Sequence, residues 1–148
     1  MIRGLSFVFL MLAALPGSVA AETFGGPVSA SVVEVIDGDT IAVKAKVWLG
    51  VEVSSRVRIR GIDTPELHSS CAAEKTMAEQ ARQRLAKIAG GTVSLANVVD
   101  DKYGGRVDAD VANAVGVDLK TAMLATGLAH PYDGKGARAD WCPVASTQ

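Results

Sequence analysis

Two carboxylates, Asp39 and Asp63, are predicted to lie at the same end of a β-hairpin. Residues 40–47 and 53–62 alternate apolar and polar side chains, and pairing Val43 with Ile59 matches the apolar faces and sets Asp39 opposite Asp63. Such carboxylates repel unless a cation lies between them, and hard cations such as calcium prefer oxygen ligands. The alternative is two solvated acids at strand ends, because aspartate is common in turns.

A third carboxylate, Glu66, follows closely in the sequence Thr64-Pro65-Glu66. Proline fixes its own backbone and restricts Thr64 to an extended conformation, so the segment is expected to leave the strand rigidly and to hold Glu66 near the cation. A carboxylate one water molecule away from a phosphodiester could orient or deprotonate that water. The alternative is a surface glutamate that precedes a helix.

The predicted register also gathers basic side chains on the polar face of the hairpin, where like charges would oppose one another. A bound phosphate would relieve that repulsion, and arginine binds phosphate through two parallel hydrogen bonds more readily than lysine does. For any single residue, a solvated basic face is the alternative. The basic residues are Lys44, Lys46, Arg56, Arg58 and Arg60.

The net charge argues against capture of a polyanion by the whole surface. It is −1 for 148 residues, so any nucleic-acid chemistry must come from local charge. Residues 1–20 are expected to be a cleaved signal peptide, with Arg3, an apolar run and a small-residue cleavage site at 18–20. We therefore expect a periplasmic or secreted monomer that does not associate stably with membranes.

Export determines how the two cysteines are interpreted. Cys71 and Cys142 are the only pair in the sequence, and an oxidising compartment favours a disulfide between them. Such a bond would fasten the end of the chain to the middle of the fold. Two unlinked buried thiols are the alternative.

The elements that must position these residues are predicted to be five strands and two helices. Strands are expected at 31–36, 40–47, 53–62, 92–99 and 106–111, and helices at 72–88 and 118–126, with Asp118 as a helix cap. Three strands, a helix, two strands and a helix match the five-stranded OB-fold barrel, a mainly β fold with two or three helices. The domain is expected at 31–142, after a linker at 21–30 and before a tail at 143–148.

Four ordered segments resemble the thermonuclease, or staphylococcal nuclease-like, family. They are IDGDT at 36–40, RIRGIDTPE at 58–66, DKYGGR at 101–106 and GLA at 127–129. The resemblance implies an OB-fold and calcium-dependent hydrolysis of phosphodiester bonds in DNA and RNA, preferably single-stranded, to 3′-phosphate products. It implies that Asp39, Asp63 and the Thr64 backbone carbonyl bind calcium, that Arg58 binds phosphate and that Glu66 activates water.

The same resemblance extends to residues farther along the chain. It makes Arg106 the second phosphate-binding arginine, although Gly105 stands between it and the usual Tyr-Gly, so that a bulge or a shifted turn is required. It makes Lys102 and Tyr103 nucleotide contacts, with Tyr132 as a further contact. Two other functions stay open: a non-catalytic OB-type module that binds nucleic acid or another anion, and an exported structural or envelope interaction domain.

Overall fold

The computed structural model describes residues 22–101 and 104–142, which form eight strands and two helices. The strands are β1 (Thr23–Phe24), β2 (Val28–Val35), β3 (Thr40–Trp48), β4 (Val51–Ile59), β5 (Ile62–Asp63), β6 (Thr92–Asp100), β7 (Arg106–Asn113) and β8 (His130–Pro131). The helices are α1 (Ala72–Ala89) and α2 (Leu119–Leu124). The signal peptide expected at 1–20 and the tail expected at 143–148 lie outside the described residues.

Five of the strands close into a barrel in the order β6-β2-β3-β4-β7, and β7 pairs back onto β6. The β4–β7 pairing is parallel and the others are antiparallel. This closed mixed barrel with two helices confirms the predicted OB-fold. The stretch 21–30, expected as a linker, contributes β1 and the first residues of β2 to the sheet, because both pair with β6.

The predicted register of the β3–β4 hairpin is wrong by four residues. Val43 lies opposite Ser55 rather than Ile59, because the strands turn around residues 49–50 instead of around 50–52. A shift by an even number of residues keeps every side chain on its face of the sheet, so the barrel interior is still apolar. Asp39 and Asp63 are therefore not cross-strand partners, and the Asp39 carbonyl instead accepts a hydrogen bond from the Ile59 N–H at 2.8 Å.

The corrected register also removes the predicted opposition of like charges along the hairpin. Lys44 lies opposite Ser54, and Lys46 lies opposite Glu52, an acidic partner. The basic face of β3 and β4 therefore does not need a bound phosphate to relieve repulsion between directly paired residues.

The core fills the barrel and the gap beneath the helices. Interior side chains of the barrel strands pack with Leu85 of α1 and with Leu119 and Met123 of α2, all fully buried. The α2 helix begins as predicted, because the Asp118 carboxylate accepts a hydrogen bond from the Thr121 N–H at 2.7 Å. In the described part of the chain, no helix has the length and apolar character needed to cross a membrane.

Candidate active site

Asp39 is a buried carboxylate held at the end of a tight turn. The Asp37 side chain accepts a hydrogen bond from the Asp39 N–H at 3.0 Å, and the Thr40 hydroxyl donates to the Asp39 carboxylate at 2.8 Å. Burial, with the charge of Asp37 as a second cause, raises the pKa of Asp39 to about 7, although Arg58 and Thr40 act against the shift.

Gly38 lets this turn lie against the rest of the site. A Cβ atom at Gly38 would stand 2.7 Å from the Ala81 Cβ on α1 and 2.8 Å from the Thr64 Oγ1. These distances are shorter than van der Waals contact, so the absence of a side chain sets how closely the turn approaches Thr64. The turn that carries Asp39 is thereby fixed against both α1 and the segment after Asp63.

Asp63 lies in β5, whose pairing with β8 sets it opposite His130. Asp63 is only 1% exposed to solvent. Arg58 lies between the two aspartates: its Nη2 is 3.1 Å from the Asp39 Oδ2 and 3.9 Å from the Asp63 Oδ1. The structure thus brings Asp39, Asp63 and Arg58 together as expected. It does so because the chain turns after β4 and continues into β5, and not because Asp39 and Asp63 pair across the hairpin.

The oxygen atoms around this pair fit a hard divalent cation. Among the described residues, the Asp63 Oδ2 is one of the buried side-chain oxygens without a hydrogen-bond partner, and the neighbouring Thr64 is also buried. Within residues 22–101 and 104–142, no group of three or more His, Cys, Asp and Glu side chains could hold a metal ion. A cation here would depend on two carboxylates, the Thr64 carbonyl and water, which is an oxygen set that calcium accepts.

Glu66 stands at the mouth of the site. Its backbone N–H donates to the Glu74 carboxylate of α1 at 3.0 Å, and about half of its side chain is exposed. Hydrogen bonds from Ser69 and from this N–H lower the pKa of Glu74, which keeps it an anionic anchor for the segment. Glu66 is therefore positioned by α1, and its carboxylate is accessible to solvent. One arginine contacts both this carboxylate and that of Asp63.

That shared arginine, Arg138, was not among the residues predicted from the sequence. Its Nε donates to the Asp63 Oδ1 at 2.7 Å, its Nη2 donates to the Thr64 carbonyl at 2.9 Å, and its Nη1 pairs with the Glu66 carboxylate. The segment 132–138 is rich in glycine and charge and indicates only a loop. A lone arginine nine residues after the end of the GLA segment is a weak signal that could have marked it.

An open cavity of about 550 Å³ is bordered by Arg58, Glu66 and Arg138. Arg106, the second arginine predicted to bind phosphate, also lines this cavity. Arg106 begins β7 and pairs with the Asp101 carboxylate. Gly105 has a φ of +79°, a conformation that glycine adopts readily, and this turn directs Arg106 into the cavity. The residues that line it are Arg58, Glu66, Asp100, Asp101, Arg106, Asp108, Tyr132, Asp133, Gly134, Lys135 and Arg138.

The predicted nucleotide contacts are only partly described. Tyr132 lines the cavity, with its N–H donating to the Gly61 carbonyl at 3.0 Å and its hydroxyl to the Gly136 carbonyl at 3.2 Å. Lys102 and Tyr103 lie outside the described residues. Arg60, which the sequence placed on the phosphate-binding face, instead pairs with Asp110 at 3.4 Å.

Cys71 and Cys142 lie side by side, both as free thiols. A hydrogen bond between their side chains lowers the pKa of Cys71 and raises the pKa of Cys142 to about 11. The Cys142 thiol also lies 3.6 Å from the Glu74 carboxylate. The fold therefore brings the start of α1 and the segment after Trp141 together at the two cysteines, and the disulfide between them stays a prediction.

Comparison with known proteins identifies the family. The family model described as "Staphylococcal nuclease homologue" matches residues 56–140, which is more than half of the chain and includes Arg58, Asp63, Glu66, Arg106 and Arg138. No curated protein matches the chain. The matched region also spans β7, both helices and most of the cavity wall. The chain therefore belongs to the staphylococcal nuclease homologue family.

Proposed function

We propose that the protein is an exported, calcium-dependent nuclease that hydrolyses phosphodiester bonds in DNA and RNA. The observation that carries the proposal is the buried Asp39–Asp63 pair, which Arg58 connects to a cavity that Arg58 lines together with Arg106 and Glu66. Family membership supports a metal-dependent nuclease in general. Calcium, the DNA and RNA substrates, the 3′-phosphate product and the periplasmic or extracellular location are the finer parts of the proposal.

The proposed reaction assigns a separate task to each side chain. Arg58 and Arg106 bind the oxygen atoms of the phosphodiester, and Glu66 orients a water molecule and accepts its proton as the water oxygen attacks phosphorus. The bond between phosphorus and the 5′ oxygen breaks, the 5′ oxygen takes up a proton from solvent to become a hydroxyl, and the phosphate stays on the 3′ side. Calcium, when held by Asp39, Asp63 and the Thr64 carbonyl, supplies charge stabilisation for the phosphate oxygens.

The substrate is proposed to be single-stranded because an unpaired base can stack on the ring of Tyr132, which lines the cavity. Aromatic residues make up only 5% of the chain, so few other rings are available for stacking. Acidic residues on the cavity wall, Asp100, Asp101 and Asp108, add repulsion toward a polyanion. We therefore expect weak substrate binding that depends strongly on the cation.

A non-catalytic OB-type binding module is the second candidate. It is favoured by one observation: the Glu66 carboxylate is paired with Arg138 and is therefore not free to accept a proton from water. A binding module would retain the two phosphate-binding arginines but would have no use for Glu66. Cleavage and binding assays on the same preparation separate the two candidates.

The test is to incubate the purified protein with denatured DNA and with RNA, in calcium or in excess chelator. We expect cleavage only with calcium, and a loss of about 10²- to 10³-fold in Arg58→Ala, because one donor to the transition-state charge is removed. The matched control is Arg84→Ala, an exposed position on α1, which should retain full activity. Equal cleavage in chelator would overturn the proposal, and binding without cleavage would support the module.

A further inference from the structure

Arg138 contacts the same groups that a cation would use. Its guanidinium binds the Asp63 carboxylate, the Thr64 carbonyl and the Glu66 carboxylate, through three different nitrogen atoms. Two of these three groups are the oxygen donors assigned above to calcium, and the third is the proposed general base. A single positive side chain therefore bridges the cation site and the catalytic carboxylate.

We propose that Arg138 is an internal competitor for the cation, so that cation binding displaces its guanidinium and releases Glu66. The inference rests on the proposed function, because it takes Asp63 and Thr64 as cation ligands. In the cation-free protein, Arg138 pairs with a carboxylate that is almost completely buried and that otherwise shares Arg58 with Asp39.

Electrostatics makes the two occupants compete. A guanidinium and a divalent cation on the same Asp63 carboxylate and the same carbonyl would lie a few ångströms apart in a partly buried site, where repulsion between like charges is strong. Arg58 already places one positive charge between Asp39 and Asp63. The cavity in front of Arg138 provides space for its side chain once it leaves the carboxylates.

The segment that carries Arg138 is anchored at both ends and exposed between them. At one end, the Tyr132 N–H binds the Gly61 carbonyl. At the other end, Trp141 is buried and its ring lies 4.3 Å from the ring of His130. The Arg138 side chain itself is 40% exposed. The guanidinium can therefore leave the carboxylates by rotation of its side chain, while both anchors stay in place.

Calorimetric titration of calcium into the full-length protein tests the competition without using activity. We expect Arg138→Gln to bind calcium more tightly than the wild type, on the order of tenfold, because a competing charge is removed. Arg138→Lys should fall between the two, since an ammonium group keeps the charge but cannot reach all three acceptors. Arg84→Gln on α1 is the matched control and should leave the affinity unchanged. Unchanged or weaker calcium binding in Arg138→Gln overturns the proposal.

Thermal unfolding provides a second readout and checks that the variants fold. In chelator, Arg138→Gln should have a lower Tm than the wild type, because the buried Asp63 carboxylate loses the nearer of its two arginine partners, Arg138 at 2.7 Å rather than Arg58 at 3.9 Å. In saturating calcium this difference should shrink, because Arg138 no longer contacts Asp63 in the wild type either. A Tm difference that is equal in chelator and in calcium would show that Arg138 stays in place and would overturn the competition.

The outcomes separate this inference from the proposed function. A wild-type protein that binds calcium and cleaves DNA, with no change of calcium affinity in Arg138→Gln or in Arg138→Lys, overturns the competition alone. Failure of the wild type and of every variant to bind calcium overturns both.

Discussion

At the scale of single residues, the Asp39 carboxyl group makes the folding stability of the protein depend on pH. Its pKa is about 7 in the folded protein, against 3.8 as the ordinary value, chiefly because the carboxylate is buried. Between these two values the folded state binds a proton that the unfolded state has released. The stability of the cation-free protein therefore decreases as the pH rises from about 4 to about 7, with no further contribution from Asp39 above that range.

Asp39→Asn should remove this contribution to the pH dependence. In chelator, we expect the Tm of the wild type to fall between about pH 5 and about pH 8 by more than the Tm of Asp39→Asn, because the variant has no proton to lose there. Thermal unfolding at the two pH values measures the difference. Glu52→Gln, an exposed position on β4, should behave like the wild type. Identical pH dependence in Asp39→Asn would show that Asp39 is already ionised at low pH.

The residues of the site divide into those that a local pattern can reveal and one that it cannot. Arg58, Asp63 and Glu66 belong to one short segment, so sequence spacing and the family resemblance predict them together. Arg138 lies 75 residues beyond Asp63, in a loop whose neighbours show no periodicity. The pairing of β5 with β8 helps to bring that loop to the site, and this short pairing leaves no recognisable pattern in the sequence.

At the scale of elements, the 37–39 turn packs closely against α1 and Thr64. Gly38→Ala would place a methyl group inside the contact distance of both Ala81 and Thr64. We expect a loss of stability of about 1–3 kcal/mol, as is usual for overpacking, together with weaker calcium binding because Thr64 is displaced. Chemical denaturation and calorimetry measure the two effects.

Gly91→Ala is the matched control for Gly38→Ala. Gly91 has no heavy atom within 4 Å of the added Cβ and no positive φ, so this change should leave both quantities near the wild-type values. A Gly38→Ala variant with wild-type stability and wild-type calcium affinity would contradict the packing argument.

The elements themselves could be predicted more closely than their alignment. Alternation and capping residues predict β3, β4, α1 and α2 to within a few residues. The hairpin register could not be obtained in the same way, because a shift of four residues leaves every apolar side chain on the same face. Turn geometry at 49–50 decides between the two registers, and Gly50 is compatible with either.

At the scale of the whole molecule, a disulfide between the two cysteines would fasten the end of the described chain to the start of α1. Cys71 precedes α1, and Cys142 follows Trp141 of the segment that carries Arg138. If the pair is oxidised, the closed loop of about 70 residues is expected to add roughly 4 kcal/mol of stability in the chain-entropy model. The bond would also hold the segment with Arg138 against the barrel.

Protein folded under oxidising conditions should therefore contain no free thiol and should lose Tm when a reductant is added. Thiol titration and thermal unfolding measure these two properties, and the Cys71→Ser/Cys142→Ser double variant should not respond to reductant. Two titratable thiols in the protein recovered from an oxidising compartment would contradict the predicted disulfide.

The role proposed for Glu66 is to activate water for attack on a phosphodiester. Its most direct test is the rate of cleavage of a single-stranded DNA oligonucleotide by Glu66→Gln in saturating calcium, beside Glu52→Gln as the matched control. We predict that Glu66→Gln loses about 10²- to 10⁴-fold in rate, while Glu52→Gln and the wild type cleave equally and leave 3′-phosphate ends. Cleavage by Glu66→Gln at the wild-type rate would contradict the claim.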